Sequence, residues 1–126
     1  MACNLPTGRY TIKTKNVPVG LDGNRVVVGA KPICFQIQRY AVGTVCTYVI
    51  TPDGGTKHVD FIKTNWLIEL GSVLQHWAIS HLYGDRYTIM PSEFGHGWSD
   101  PGAGVDPRQL YLGPDHPLEE FIITKC

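Results

Sequence analysis

Residues that could carry chemistry are few in this chain and lie far apart. Histidine is the usual proton carrier near neutral pH, and His96, between two glycines, is the one histidine in a setting typical of a site. None of the five adjoins a nucleophile in a catalytic motif; they are His58, His76, His81, His96 and His116. No C-x-x-C or H-x-x-x-H spacing indicates a metal. We therefore predict that the chain is not an enzyme and holds no metal or cofactor.

Charge and composition exclude two further classes of partner. The 126 residues include 11 basic and 11 acidic side chains, and neither sign forms a run. The concentrated positive charge that binds nucleic acid or an anionic membrane is therefore missing, and no apolar stretch approaches the length of a membrane span. Residues 1–7 lack the apolar centre of a secretory signal, which indicates a cytoplasmic protein unless the sequence is a mature secreted form.

One strand pattern, an aromatic residue and an isoleucine two positions apart, occurs six times. A two-residue period points both side chains to one face of a β-strand. Three pairs begin with tyrosine and three with another aromatic residue: Tyr10–Ile12, Tyr48–Ile50 and Tyr87–Ile89, then Phe35–Ile37, Trp77–Ile79 and Phe121–Ile123. Because the first set recurs after 38 and 39 residues and the second after 42 and 44, we predict three copies of one unit, at about residues 8–45, 46–84 and 85–126.

Each unit divides into four short strands separated by turn residues. Asp22-Gly23-Asn24 in the first unit and residues 51–56 in the second are strong turn signals, and the third unit contains a long Gly- and Pro-rich insertion at 94–108. No window has the apolar spacing of a capped helix, so we predict twelve strands in one all-β domain, residues 1–126. Three four-stranded units resemble a β-trefoil, in which six strands close a barrel and six form three hairpins over one end. On that interpretation the aromatic residues fill the core and function lies in the loops.

The four cysteines leave their pairing open. A trefoil brings its chain ends together, so a bridge between Cys3 and Cys126 is plausible, and Cys34 and Cys46 flank the junction of the first two units. Four cysteines allow three pairings, and a chain without a secretory signal is expected to meet a reducing compartment. The sequence does not decide whether any bridge forms.

Two sets of strand ends resemble a known family. The opening Leu5-Pro6-Thr7-Gly8-Arg9-Tyr10-Thr11-Ile12 and the closing Phe121-Ile122-Ile123, together with the aromatic-x-Ile strands, are similar to the mushroom β-trefoil serine protease inhibitors of the cospin-like type. The resemblance implies a small, cofactor-free protein that defends the fungus by blocking digestive proteases. In that family a basic residue between the second and third strands enters the protease. The matching loop consists of Leu21, Asp22, Gly23, Asn24, Arg25 and Val26, with Arg25 as the basic residue.

Insertion of a long cation would suit a trypsin-like protease, whose specificity pocket has an aspartate at its base. A rigid loop would lose little conformational entropy on binding. Other basic residues expected in loops could play the same part: Lys15, Arg39, Lys57 and Arg108. Arg39 falls in the connection between the fourth and fifth strands, which plant Kunitz inhibitors use. Presentation of Asn24 instead would favour an asparagine-cleaving cysteine protease, as in the related mycocypins.

The competing class is a carbohydrate-binding trefoil. Gln75-His76-Trp77 matches the Q-x-W signature of ricin-B-like lectins, although the corresponding triplets of the other units do not. A sugar site also needs an exposed aromatic platform beside an acidic residue. Trp98 with Asp100 is the best candidate, and Asp53 is a poorer one. Exposure of Trp98 would favour a lectin and its burial would remove the site, so we rank the inhibitor first.

Overall fold

The computed structural model describes residues 3–42, 45–93, 95–102, 105–114 and 118–126, without the side chain of Val42. His116 and three residues of the predicted insertion, Phe94, Ala103 and Gly104, lie outside these ranges. The strands in chain order are β1 (Gly8–Thr14), β2 (Val17–Asp22), β3 (Arg25–Val28), β4 (Phe35–Val42), β5 (Val45–Pro52), β6 (His58–Phe61), β7 (Ile68–Gly71), β8 (Trp77–Tyr83), β9 (Arg86–Pro91), β10 (Gly97–Ser99), β11 (Arg108–Gln109), β12 (Tyr111–Gly113) and β13 (Phe121–Lys125).

Six of these strands form a closed antiparallel barrel. Their hydrogen-bonded order is β1, β4, β5, β8, β9 and β13, and β13 pairs with β1 to complete the ring. At the closure Tyr10 lies opposite Lys125 and Ile12 lies opposite Ile123. Because a closed barrel has no free edge strand, it cannot extend by pairing with another chain.

Six of the remaining seven strands form three hairpins, β2–β3, β6–β7 and β10–β12, that cap the barrel, and the seventh is β11. The first two hairpins are joined through β3, which pairs with β7 at Arg25 and Glu69; β3 also pairs with β11 at Val27 and Gln109, and β11 leads through Leu110 into β12 of the third hairpin. A six-stranded barrel with capping hairpins is a β-trefoil, as predicted. The boundaries of the three repeats stay a prediction.

Leu110 divides the eleventh predicted strand into β11 and β12. Its N–H donates to Val26 O at 3.0 Å and its carbonyl accepts from Ile68 N at 2.9 Å, so the chain leaves β3 here and turns to pair with β10. The thirteen strands within the described ranges therefore correspond to the twelve predicted. Helices are absent from these ranges, and no helix there is long and apolar enough to cross a membrane.

The third strand of the middle unit begins at Ile68, later than the predicted Asn65. Trp66 has a φ of 65°, and its N–H donates to Ile62 O at 2.7 Å. This bond closes a turn over residues 62–66 and delays the strand.

The barrel core is aromatic, as the repeat pattern predicts. All six repeated aromatic residues are buried: Tyr10, Tyr48, Tyr87, Phe35, Trp77 and Phe121. Three of them form hydrogen bonds through their side chains: Tyr10 Oη donates to Pro6 O at 2.6 Å, Tyr48 Oη to Leu5 O at 2.9 Å and Trp77 Nε1 to Val59 O at 3.1 Å. A buried polar group without such a partner would lower stability, so these bonds allow the large rings to fill the barrel.

Two disulfides join Cys3 to Cys46 and Cys34 to Cys126. Neither bridge is one of the two pairs that the sequence suggested, Cys3 with Cys126 and Cys34 with Cys46. The reason is the position of β1 between β4 and β13: Tyr10 lies opposite both Phe35 and Lys125. The residues next to these partners, Cys34 and Cys126, therefore meet.

Removal of either bridge should destabilise the fold strongly. The bridges close chain segments with sequence separations of 43 and 92 residues, and loss of the corresponding constraint on the unfolded chain predicts a decrease of ~4 kcal/mol in the free energy of unfolding. Guanidinium unfolding of a Cys3→Ser/Cys46→Ser variant and a Cys34→Ser/Cys126→Ser variant would measure the decrease. A decrease below ~1 kcal/mol would contradict this account of the bridges.

Candidate functional site

The predicted protease-binding segment 21–26 is a tight hairpin. Strands β2 and β3 are joined by two residues, Gly23 and Asn24, and Gly23 has a φ of 62°. A glycine with positive φ at the first central position is the requirement of a type II′ turn, which suits the twist of the flanking strands. Asp22, Gly23 and Asn24 are exposed at its tip. The hairpin is therefore rigid, and only its two-residue turn extends beyond the paired strands.

Arg25 lies at the start of β3 rather than on a protruding loop. Its backbone lies opposite Asp22 in β2 and opposite Glu69 in β7, and the neighbouring Asn24 O accepts from Leu70 N at 2.8 Å. The guanidinium lies back along the surface, with Nη1 3.7 Å from Asp22 Oδ2. These contacts make Arg25 less suitable for insertion than the sequence indicated, because both edges of its main chain already face neighbouring strands.

The connection 53–57 between β5 and β6 is an exposed loop that ends in a basic residue, Lys57. Its first residue is fixed by a hydrogen bond from Asp53 N to Cys34 O at 3.0 Å, and Gly55 N donates to Pro52 O at 2.9 Å. At the base of the loop Thr51 Oγ1 and His58 Nδ1 are 2.9 Å apart. Both ends of the loop are therefore attached to the barrel or its cap.

An ion pair between Arg9 and Asp53 lies at the start of this loop. Arg9 Nη2 and Nε donate to Asp53 Oδ2 at 2.6 and 3.2 Å. The hydrogen bonds from the guanidinium lower the pKa of the Asp53 carboxyl and the same bonds raise the pKa of Arg9. With its carboxylate engaged, Asp53 is a poor candidate for binding a sugar.

An open depression of ≈ 360 Å³ joins the two segments described above. Its lining includes Leu21 of the hairpin, Leu70 of β7 and all of residues 52–57. The structure thus places the predicted loop and the alternative residue Lys57 on one face of the molecule.

Arg39 does not lie in a connection between strands, as the sequence suggested. It lies within β4 opposite Tyr48, and its N–H donates to Thr7 Oγ1 at 2.9 Å. The β4–β5 connection is formed instead by residues 43–44, which are outside the described ranges. The Arg39 side chain is exposed, but the main chain of Arg39 is part of the barrel. Arg39 therefore cannot act as the residue of a reactive loop.

Arg108 is also unable to enter a protease pocket, because its guanidinium is bound to a buried carboxylate. Its Nε and Nη2 donate to Asp100 Oδ1 and Oδ2 at 2.5 and 2.8 Å, and Nη1 also contacts Asp106. The Asp100 side chain is fully buried and that of Arg108 is 12% exposed. Lys15 Nζ lies 3.6 Å from the same carboxylate, so both cations serve to compensate Asp100.

The predicted sugar site at Trp98 and Asp100 is wrong. Trp98 is fully buried and packs edge-on against Trp77 and Phe121, at centroid distances of 5.5 and 5.8 Å. The sequence around Trp98 is polar and Gly-rich, which suggested exposure, but tertiary packing draws the ring into the core.

The Q-x-W triplet is likewise structural. Gln75 is buried and its Nε2 donates to Glu93 Oε1 and His76 O, both at 2.9 Å. Trp77, the third member, is in the barrel core. Neither side chain is available to a ligand.

Arg9 is the residue at this face that the sequence analysis did not single out. In the sequence it belongs only to a strand-end pattern, and its partner Asp53 is 44 residues away. No local signal links two charges so far apart in sequence. Only the pairing of β1 with β4, which places Arg9 opposite Gln36, and of β4 with β5 brings them together.

Comparisons with known proteins establish the fold. No protein-family model and no curated protein matches the sequence. A proteinase inhibitor from Coprinopsis cinerea is similar in structure with a TM-score of 0.71 and 15% identity, over 98% of this chain and 100% of that one. A salivary protein of the Cysteine and Tryptophan-Rich (CWRC) family from Culex quinquefasciatus gives a TM-score of 0.70 and 21% identity, over 100% and 99%. The expected likeness to a fungal inhibitor is confirmed as a likeness of fold along the whole chain.

Substitution of Arg108 should destabilise the protein. Arg108→Ala leaves the buried Asp100 carboxylate with weaker compensation, so we expect the free energy of unfolding to fall by ~3 kcal/mol. Urea unfolding measures the change, with Arg39→Ala as the control for loss of an exposed arginine, expected within ~0.5 kcal/mol of wild type. Equal effects of the two substitutions would show that the Asp100 contact is energetically ordinary.

The buried carboxylate also predicts a pH dependence. Hydrogen bonds from Arg108 hold the pKa of Asp100 below its usual value of 3.8. Its contribution to stability is therefore complete above pH ~4 and is lost as the pH falls through the lower pKa of the folded state. Wild type and Asp100→Asn should differ in unfolding free energy at pH 6, and the difference should shrink as the pH is lowered below ~4, as measured by urea unfolding across this range. Parallel curves would contradict the assignment.

Proposed function

We propose that this protein inhibits a trypsin-like serine protease by inserting the loop 53–57 into the active site, with Lys57 entering the specificity pocket. The observation that carries the proposal is an exposed lysine on a short loop whose two ends are attached to the rest of the fold. A trypsin-like pocket has an aspartate at its base, and a long cation is the side chain that can reach it.

The main chain of this loop supports substrate-like binding. Residues 53–57 lie outside the strands of the sheet, so they can align with a protease cleft, whereas the backbone of Arg25 already lies between two strands. Attachment at both ends limits the conformations of the free loop, so less conformational entropy is lost when the protease binds.

Other lysines in connections are less suitable than Lys57. Lys15 faces Asp100, and Lys63 Nζ lies 3.9 Å above the ring of Phe61. The main chain of Lys31 approaches so closely that its carbonyl oxygen would be 2.5 Å from a Cβ added to Gly20. The side chains of Lys15 and Lys63 are therefore engaged by neighbouring groups, and the main chain of Lys31 packs against β2.

The remaining support comes from the fold and from the neighbouring hairpin. A full-length structural relative is a proteinase inhibitor, so this scaffold is compatible with that activity. Leu21, which lines the depression together with Lys57, directly precedes the exposed tip at Asp22–Asn24, so we expect the tip to lie within reach of the rim of a bound protease. We assign this tip a supporting contact.

One alternative target keeps an observation in its favour. Asn24 is exposed at the hairpin tip, in a rigid turn, which is the presentation that an asparagine-cleaving cysteine protease would need.

The two disulfides add a proposal about location. Disulfide bridges are typical of oxidising compartments, so we infer that the inhibitor acts outside the reducing cytoplasm.

Titration of trypsin with the purified protein tests the proposal. Residual activity should fall stoichiometrically with wild type, and Lys57→Ala should weaken inhibition at least ~100-fold because it removes the cation from the pocket. Lys57→Arg should retain inhibition, and Arg25→Ala should remain within ~5-fold of wild type.

The outcomes separate the alternatives. If Arg25→Ala loses inhibition and Lys57→Ala retains it, the reactive residue lies in the hairpin and the assignment to the loop 53–57 is overturned. An absence of inhibition at micromolar wild-type protein would rule out trypsin-like targets, and asparagine-specific and papain-like proteases would be tried next.

A further inference from the structure

Four residues from separate parts of the chain form a closed ring of contacts beside the loop 53–57. We call this ring the clamp, and its members are Arg9, Cys34, Asp53 and Cys126. Cys34 O accepts from Asp53 N at 3.0 Å, and Asp53 Oδ2 accepts from Arg9 Nη2 at 2.6 Å. Arg9 O accepts from Cys126 N at 3.1 Å, and the Cys126–Cys34 disulfide completes the ring.

The clamp joins three strands of the barrel to the first residue of the loop. Arg9 belongs to β1, Cys34 directly precedes β4, and Cys126 directly follows β13. Asp53 directly follows β5 and is bound twice, by its backbone N–H to Cys34 and by its carboxylate to Arg9. Two bonds in different directions fix both the position and the orientation of the residue at which the loop begins.

Exposure of the ion pair indicates a local role. The side chains of Arg9 and Asp53 are 52% and 38% exposed, and ion pairs of that exposure contribute little to global stability because water and salt screen them. The disulfide, by contrast, is covalent and holds Cys34 and Cys126 together whatever the solvent. The contacts therefore combine a permanent link with a directional bond that acts mainly on the loop.

The second disulfide provides an internal comparison. Cys46 lies six residues before Pro52 in β5, which places it roughly 20 Å along the strand from the start of the loop. Neither Cys3 nor Cys46 takes part in the contacts of Asp53. Removal of the Cys3–Cys46 disulfide should therefore lower the free energy of unfolding without changing the conformation of the loop 53–57.

We propose that the clamp positions the loop 53–57 and thereby presents Lys57 in one fixed conformation. This inference rests on the proposed function of that loop. Arg9 and Asp53 are positioning residues: they act through the loop backbone and do not enter the protease pocket. A loop released from the clamp would sample more conformations, would lose more entropy on binding and would be cleaved more readily at the bond after Lys57.

Hydrogen exchange and inhibition kinetics together test the clamp. The clamp variants are Arg9→Ala and Cys34→Ser/Cys126→Ser. Their matched controls are Arg86→Ala, which removes a second exposed ion pair with Glu120 at 3.4 Å, and Cys3→Ser/Cys46→Ser. We expect the Asp53 and Gly55 amides to exchange at least ~10-fold faster in the clamp variants, and dissociation from trypsin to be ~10-fold faster. The controls should stay within ~2-fold on both measurements.

Rescue distinguishes positioning from a general structural effect. Arg9→Lys keeps a cation opposite Asp53, so it should restore most of the amide protection and of the slow dissociation that Arg9→Ala loses. If the double cysteine variant does not fold, Asp53→Asn replaces it, because it weakens the ion pair and leaves both bridges intact.

Hydrogen exchange tests the clamp and inhibition tests the proposed function, so one of the two proposals can be overturned without the other. If wild type does not inhibit, the proposed function is overturned, while exchange at Asp53 and Gly55 still tests the clamp. Equal exchange in clamp variants and controls would overturn the clamp whatever the inhibition shows. Faster exchange with unchanged dissociation would mean that the clamp orders the loop but that the protease binds elsewhere, which overturns the link to inhibition.

Discussion

The pairing of β1 with β13 is the constraint on which the rest of the structure depends. It closes the barrel, and closure allows six aromatic residues to be enclosed without a free strand edge. The same pairing carries Cys126 past Arg9 to Cys34, so one disulfide and one end of the clamp follow from it. A slip of β13 by one residue against β1 would turn Ile123 out of the core while Ile12 stayed inside, so an isoleucine on each strand favours the observed register.

In a closed barrel the connections between strands can vary more than the strands themselves. The connections of the three units differ in structure. The first ends its cap hairpin in a two-residue turn, and the second presents the exposed loop with Lys57. The third contributes its insertion to the interior: Trp98 packs in the core and Asp100 is neutralised by Arg108. In the unit with the longest insertion, Trp98 and Asp100 therefore complete the fold and are not available for binding.

The fold was predictable because its signal is local and repeated. Alternation of Tyr with Ile or Phe with Ile identifies barrel strands from a few neighbouring residues, and Gly23 indicates its turn by the φ that the turn requires. The site was less predictable because its contacts are long-range. Nothing near Trp98 in sequence indicates burial, four cysteines permit three pairings, and Arg9 meets Asp53 only through two strand registers.

The distribution of cations over the surface follows from their partners. Arg9, Arg25, Arg86 and Arg108 each have a carboxylate within 4 Å, as does Lys15. Within the described ranges Lys57 has no such ion pair, although it lies four residues after Asp53. The Asp53 carboxylate instead accepts two hydrogen bonds from the Arg9 guanidinium, both at Oδ2. The acidic residue at the start of the loop is therefore paired with Arg9, and the basic residue at its end stays exposed.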